Sequence, residues 1–331
     1  MTLVTGALQG NLFVIGDVHG CASELKTLLN KLPLSPASTV VFLGDYIDRG
    51  PQSREVVETI LQLRTYCKVV TLTGNHEAML QDFLRDPTSQ GAGMFIYNGG
   101  GATLASYADE HGNYEIPDHH LRFFAELPLS FETPEFFFVH AGVPDVQLDA
   151  LEDEKHRKEM LWVRRSFHRS SFRWNKMIVH GHSPVSEVHF GEKRINVDTG
   201  CVYEQVLTAL ELPSKKIYSV TRYREARKVH LRDFASNRIA VRFKGAVPVY
   251  VHRGTETLEF ETVDYSEFGM LMRYIARHEG DVLAVGEEIV GHLGSDTNQL
   301  VDFRGTVIRP QTNEHGLCYA VKIETLAGPA E

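Results

Sequence analysis

Five times in its first two hundred residues this chain runs a short apolar segment into a small-residue turn loaded with carboxylate, amide or imidazole groups. The turns are Gly16-Asp17-Val18-His19-Gly20, Gly44-Asp45-Tyr46-Ile47-Asp48-Arg49-Gly50, Gly74-Asn75-His76-Glu77, His140-Ala141-Gly142 and His180-Gly181-His182. The runs before them, Asn11–Ile15, Thr39–Leu43, Val69–Leu72, Phe136–Val139 and Met177–Val179, have the length and composition of buried strands. Leu25, Leu28, Leu29 and Leu32, then Val56, Val57, Ile60 and Leu61, recur between them at helical spacing. Alternating strands and helices predict a mostly parallel sheet with helices packed on it. In such a sheet ligands sit outside the carboxyl ends of the strands, so the five turns are expected to converge.

Oxygen and imidazole donors together suit first-row divalent ions better than magnesium or calcium. The six candidate ligands are too many for one tetrahedral ion and suit two ions sharing a carboxylate. Two ions about 3.5–4 Å apart can activate a water and clamp the oxygens of an in-line phosphoryl displacement. Arg49, just after the second carboxylate turn, is placed to give bidentate contacts to phosphate.

The motif order GDVHG, GDYIDRG, GNHE, HAG and HGH, with its spacing, resembles the phosphoprotein phosphatase family of calcineurin-like metallophosphoesterases, from about Leu12 to Leu212. That resemblance implies an α/β metallophosphoesterase sandwich. It implies Asp17 and His19 as ligands of one metal, Asp45 as the bridging carboxylate, and Asn75, His140 and His182 as ligands of the other. His76 matches the general acid that protonates the leaving alkoxide, and Asp48 the carboxylate that orients it. Arg49 and Arg164 match the phosphate-binding arginines, with the adjacent Arg165 as the alternative to Arg164. The implied reaction is direct attack by a hydroxide generated at two divalent ions, manganese first, iron or zinc as alternatives. His180 and Asp198 are expected to be structural or ligand-orienting, and His111, His119 and His120 to be surface histidines.

Downstream of Leu212 the pattern changes. Pro213–Arg242 carries nine Lys/Arg against two Asp/Glu, in a chain of formal net charge -9. Short alternating segments follow: Ile239–Phe243, Val247–Val251, Leu258–Thr262, Gly269–Met272, Glu287–Val290, Leu300–Ile308 and Leu317–Ile323. Short strands so spaced read as a small β-barrel. Arg238-Ile239-Ala240-Val241-Arg242 sets two guanidiniums four residues apart, and Asp264-Tyr265-Ser266-Glu267-Phe268-Gly269 makes an acidic and hydroxyl turn ending in glycine. These resemble the RxxxR and (D/N)xSxxG motifs of the PilZ domain, across about Phe234–Glu324. The resemblance implies that Arg238, Arg242, Asp264, Ser266 and Gly269 bind cyclic di-GMP, with Arg232 as a further contact. Asn237 departs from the arginine or glutamine many relatives carry there.

The 331 residues are therefore read as a metallophosphoesterase domain over 1–212, a basic linker over 213–233 and a PilZ-like domain over 234–331. No apolar run reaches the roughly 18 residues needed to span a bilayer. Met1–Gly10 lacks the charged and apolar regions of a secretion signal. Cys21, Cys67, Cys201 and Cys318 show neither disulfide nor zinc-finger spacing, so the expectation is a cytoplasmic protein with reduced thiols. An acidic chain is a poor binder of nucleic-acid polymers. The expected activity is hydrolysis of phosphoserine or phosphothreonine in a phosphoprotein substrate, regulated by cyclic di-GMP. The alternatives are a dinucleoside polyphosphate hydrolase, or a cyclic di-GMP receptor whose phosphatase half is a docking platform. Glu77, where nucleotide hydrolases more often carry Asp, favours the protein phosphatase.

Overall fold

The computed structural model describes residues 10–87, 90–109, 112–222, 243–244, 248–254, 256–266, 269–275, 283–293, 301–313 and 316–327. It divides into two compact units, Met1–Ala78 with Tyr114–Lys228, and Met79–Asn113 with Val229–Glu331. Grouping of Met79–Asn113 with the C-terminal unit has no signature in the sequence pattern, which shows a composition change only after Leu212.

The first unit begins β1 (Leu12–Ile15), α1 (Ala22–Lys31), β2 (Thr39–Phe42), α2 (Ser53–Leu63), β3 (Lys68–Thr71) and α3 (Asn75–Arg85, which runs on into the second unit). The second unit contributes α4 (Gln90–Phe95) and α5 (Gly101–Ser106). The first unit resumes with α6 (Asp118–Ala125), β4 (Ser130–Glu132), β5 (Phe136–Val139), α7 (Asp153–Trp162) and α8 (Arg165–Arg169). It ends with β6 (Met177–His180), β7 (His189–Phe190), β8 (Arg194–Asn196), β9 (Val206–Leu212) and β10 (Lys216–Thr221).

These strands make two sheets, where the pattern alone predicts one. The orders are β10-β9-β1-β2-β3 and β4-β5-β6-β8-β7. Each has a parallel run, β1-β2-β3 or β5-β6-β8; antiparallel strands flank it on one side in the first sheet, where β3 is the other edge, and on both sides in the second. The β9-β10 hairpin joins the first sheet by pairing Leu212 back onto Leu12, a contact two hundred residues apart that no local periodicity encodes.

Strand alternation sends Leu12 and Val14 of β1 inward, with Val41, Leu43, Leu72, Leu210 and Leu212. They meet Phe131, Phe138, Val179 and Ile195 of the other sheet. The outer face of the second sheet, Phe137, Val139 and Ile178, packs on Met160, Leu161, Phe167 and Trp174. Both faces are covered, so the central strands are apolar throughout.

The second unit carries β11 (Phe243–Lys244), β12 (Pro248–Arg253), β13 (Glu256–Ser266), β14 (Gly269–Tyr274), β15 (Glu288–Leu293), β16 (Val301–Asn313) and β17 (Gly316–Ala327). Six of them close in the order β13-β12-β15-β16-β17-β14, and β14 returns to β13 through Phe260↔Tyr274 to Ser266↔Gly269. The closed barrel has no free edge within that ring, and its interior holds Val249, Val251, Phe260, Met272, Val307 and Tyr319. Each strand expected downstream of Val247 is present within a few residues. Of Ile239–Phe243, only Phe243 falls among the described residues.

Among the described residues no helix is long and apolar enough to cross a membrane.

Candidate metal centre

Every polar turn singled out in the sequence leaves the C-terminal end of a sheet strand: Asp17 follows β1, Asp45 follows β2, Asn75 follows β3, His140 follows β5 and His182 follows β6. The turns are locked to one another through the backbone. Val18 and His19 donate their N–H groups to the Asp45 carbonyl at 3.0 and 2.9 Å, and Gly20 donates to Tyr46 at 2.8 Å. Gly181 donates to the His140 carbonyl at 2.8 Å, and the His182 N–H reaches the Asp17 carboxylate at 3.2 Å.

Two glycines are required by close approach. A Cβ on Gly74 would overlap the Asp45 carboxylate, and one on Gly181 would overlap that of Asp17. His19, Asp45, Asp48, Arg49 and His182 all hold positive φ, between 44° and 72°. Such strain in non-glycine residues persists only where surrounding contacts enforce it, and it gathers at functional sites.

The imidazoles are oriented by main-chain acceptors. His19 donates Nδ1–H to the Ile47 carbonyl at 2.8 Å, and His140 donates Nδ1–H to that of Leu43 at 2.9 Å. Burial holds both rings neutral, His140 down at about 4, so each presents an unprotonated Nε2 to the interior. Asp45 lies between them, with Oδ2 3.4 Å from His19 Nε2 and Oδ1 3.5 Å from His140 Nε2. Asn75 Oδ1 is 2.9 Å, and His182 Nδ1 3.2 Å, from that same His140 nitrogen.

Asp17 is buried beside this group. Burial, then the carboxylates of Asp198 and Asp45, push its pKa well above the usual range. Burial likewise lifts Asp45 and Asp198 to about 7. Three carboxylates crowded out of water face nitrogen lone pairs and an amide oxygen. Divalent ions fit this donor set in number and in chemistry. The compact donor groupings are His19 with Asp45 and His76, and Asp45 with His140 and His182.

His76 is fully buried, and its Nδ1 meets Asp48 Oδ2 at 2.6 Å. Its Nε2 has no hydrogen-bond partner and stands 3.9 Å from Asp45 Oδ2. Burial, then the Arg49 charge, lowers the pKa of His76 in this environment. Arg49 donates to His19 Nε2 at 2.8 Å and lies over the Tyr203 ring at 5.6 Å. Arg164 donates Nε–H to His182 Nε2 at 3.2 Å, which puts Arg164 rather than Arg165 against a candidate ligand.

A calcineurin-like phosphoesterase model matches residues 10–209 and a PilZ domain model matches residues 236–331. The chain belongs to the calcineurin-like phosphoesterase family. Its second domain is a PilZ barrel. A protein of Anoxybacillus flavithermus named bis(5'-nucleosyl)-tetraphosphatase PrpE [asymmetrical] is 30% identical over 233 residues, 62% of this chain and 92% of that relative. Its namesake from Oceanobacillus iheyensis is 30% identical over 62% of this chain and 90% of its own. A crystallised protein proposed to be a diadenosine tetraphosphatase superposes with a TM-score of 0.51 at 24% identity, over 67% of this chain and 98% of that one, which supports the fold.

Three residues of this phosphoesterase site do more than the sequence disclosed. Glu77 receives the N–H groups of Tyr46 at 2.8 Å, Asp45 at 2.9 Å and Gly74 at 3.0 Å. It is a brace for the metal-facing turns. Asp198, which follows β8, is a buried carboxylate whose negative charge acts on that of Asp17, and it accepts the Gly200 N–H at 2.9 Å. Tyr203 covers Arg49, and nothing in the sequence around it signals that. His120, expected at the surface, is 1% exposed because α6 turns it onto α2.

In the PilZ barrel, Arg238, Arg242, Arg232 and Asn237 lie outside the described residues. The backbone of Asp264 and Ser266 belongs to β13. Gly269 opens β14 opposite Ser266 and Lys322, where a Cβ would press on the Val321 carbonyl at 2.8 Å.

Proposed function

We propose that this chain hydrolyses dinucleoside tetraphosphates at a dinuclear metal centre and is regulated by cyclic di-GMP bound to its PilZ domain. The observation that carries the centre is the division of Asp45, one oxygen toward His19 and the other toward His140. In this proposal Asp17, His19 and Asp45 hold one ion, and Asp45, Asn75, His140 and His182 the other. Manganese is the first choice and iron or zinc the alternatives, since all accept imidazole with carboxylate. When bound, such ions lower the pKa of a water and withdraw charge from the phosphoryl oxygens.

The chain's own groups do the rest. Arg49 and Arg164 stand beside the imidazoles of His19 and His182; once those rings gave their lone pairs to metal, the guanidinium N–H groups would be released to reach phosphate oxygens and neutralise the charge that grows on them. Asp48 accepts the Nδ1–H of His76 and fixes Nε2 toward the interior, where a protonated ring can hand a proton to the departing oxygen. The neighbouring carboxylate also supports the protonated ring against burial.

The name carried by relatives at 30% identity over nine-tenths of their length supports the nucleotide substrate. The His76–Asp48 pair favours a second reading, phosphoserine or phosphothreonine in proteins. An alkoxide is a poor leaving group that needs a proton, whereas a nucleoside phosphate leaves as a stable anion. The manganese-loaded protein should be offered diadenosine tetraphosphate and a phosphoserine peptide in parallel. Asymmetric cleavage to ATP and AMP, faster than peptide turnover, supports the nucleotide reading. Faster peptide turnover overturns it in favour of the phosphoprotein.

Cyclic di-GMP is proposed to bind through Arg238, Arg242, Asp264, Ser266 and Gly269; of the basic segment 213–233 expected to link domains 1–212 and 234–331, Lys216–Thr221 is strand β10 of the first sheet, so the linker would begin after it. Calorimetry on the full chain and on an Arg238→Ala, Arg242→Ala double variant tests the binding. Hydrolysis rates unchanged at saturating messenger would refute regulation. Cytoplasmic residence belongs to the same proposal, since nucleotide substrate and messenger would both be met there. Buried free thiols at Cys21, Cys67, Cys201 and Cys318 accord with a reducing compartment.

A further inference from the structure

A second constellation of metal-ligating side chains lies outside the catalytic centre. Glu58 projects from the middle of α2, and His119 and His120 sit in the first turn of α6. Glu58 Oε2 is 2.9 Å from His120 Nε2 and 3.6 Å from His119 Nε2, and the three donor atoms fall within 4.8 Å of one another. Consecutive residues on a helix normally diverge by about 100°. Here both rings turn onto one carboxylate oxygen and meet edge to face at 4.4 Å.

We propose that Glu58, His119 and His120 form a zinc site, with water completing the coordination. Two imidazoles and a carboxylate are an established zinc donor set. Bonds of about 2.0–2.1 Å in tetrahedral geometry set neighbouring donors about 3.3 Å apart, between the two separations found here. His120 is a fixed donor, 1% exposed and held by the helix packing. His119 and Glu58, with side chains 53% and 49% exposed, are free to adjust by a few tenths of an ångström and leave the outer position to solvent.

The protons balance without release. In the neutral rings each Nε2–H faces Glu58. On binding, each ring's single proton moves from Nε2 to Nδ1 and the Nε2 lone pair goes to zinc, while Glu58 exchanges its hydrogen bond from His120 for a metal bond.

Zinc there fastens α6 to α2. Phe123 of α6 packs on Tyr46 at 5.5 Å, and Tyr46 directly follows the shared carboxylate Asp45. The site is thus a clamp behind the turn that carries Asp45.

The test counts zinc per chain by mass spectrometry after dialysis against buffered free zinc, for the full-length protein, Glu58→Gln and His119→Ala. The expected result is one zinc fewer in each variant. Manganese content at the catalytic centre should be unchanged, and the zinc-dependent rise in melting temperature of the manganese-loaded protein lost. Removing even an outer-shell partner of a metal costs about 10–100-fold in affinity, so loss of a ligand should weaken zinc by at least that. Should Glu58→Gln fold poorly, the exposed His119→Ala decides alone. Equal zinc content in all three proteins, with equal zinc-dependent stabilisation, overturns the site and leaves an ion-paired His–Glu cluster.

Discussion

Glu77→Gln isolates the brace beneath the metal-facing turns. The glutamate is fully buried, and its two oxygens accept three main-chain N–H groups. Oε2 takes those of Asp45 and Gly74, and Oε1 takes that of Tyr46. Glutamine has one acceptor oxygen. Its better orientation keeps that oxygen at the doubly used position and points its NH2 at the Tyr46 N–H, which loses its partner. Leaving one buried donor unpaired costs about 1–3 kcal/mol. The two surviving bonds become neutral, and each weakens by about 1 kcal/mol.

Relief of repulsion acts the other way. Glu77 is raised to about 7, by burial and then by the Asp45 carboxylate, so removing its charge returns part of the loss. The net expectation is a destabilisation of about 2–4 kcal/mol, or roughly 4–16 °C in melting temperature for a domain of this size. The assay is thermal unfolding of the manganese-loaded full chain, with titration of manganese against activity. The metal requirement should rise together with the fall in stability, because the same turns carry Asp45 and Asn75. A variant that melts within 2 °C of the parent and saturates at the same manganese concentration would refute the brace.

Asp48→Asn and His76→Asn should lower kcat on a phosphoserine peptide by about 10²–10⁴-fold and affect the tetraphosphate far less, since only the alkoxide needs the proton. Steady-state kinetics on both substrates check this, and equal losses on the two would count against the acid role. Arg49→Ala should lower kcat/KM by roughly tenfold to a hundredfold, the worth of a charged hydrogen bond to phosphate. Gly181→Ala drives a methyl into the Asp17 carboxylate and should abolish tight metal binding, read as metal content after gel filtration. Trp174→Ala empties a site packed by Phe167 and Phe172, and frees the Pro144 carbonyl from its 3.0 Å bond to the indole N–H. It should cost about 3–5 kcal/mol in chemical denaturation without altering metal affinity.

The strand segments, the polar turns and their order were all legible in the sequence by itself, because burial imposes apolar runs and metal chemistry restricts the residues that can follow them. The change to short alternating strands after Leu212 likewise announced a barrel. Local pattern could not say how strands pair at long range. Leu12 and Leu212 become neighbours only when β9 pairs with β1, and the division of the strands between the two sheets of the expected sandwich is likewise set by long-range pairing.

Roles that depend on what a side chain meets were hidden for the same reason. The bracing role of Glu77 shows only when three N–H groups are found on it. His120 reads as a surface residue until α6 lays it against Glu58. A sequence specifies which chemical groups are present and in what local rhythm. Their partners, their burial and the backbone strain at His19, Asp45 and His182 are set by distant segments packing together. Those are properties of the assembled fold and of no segment alone.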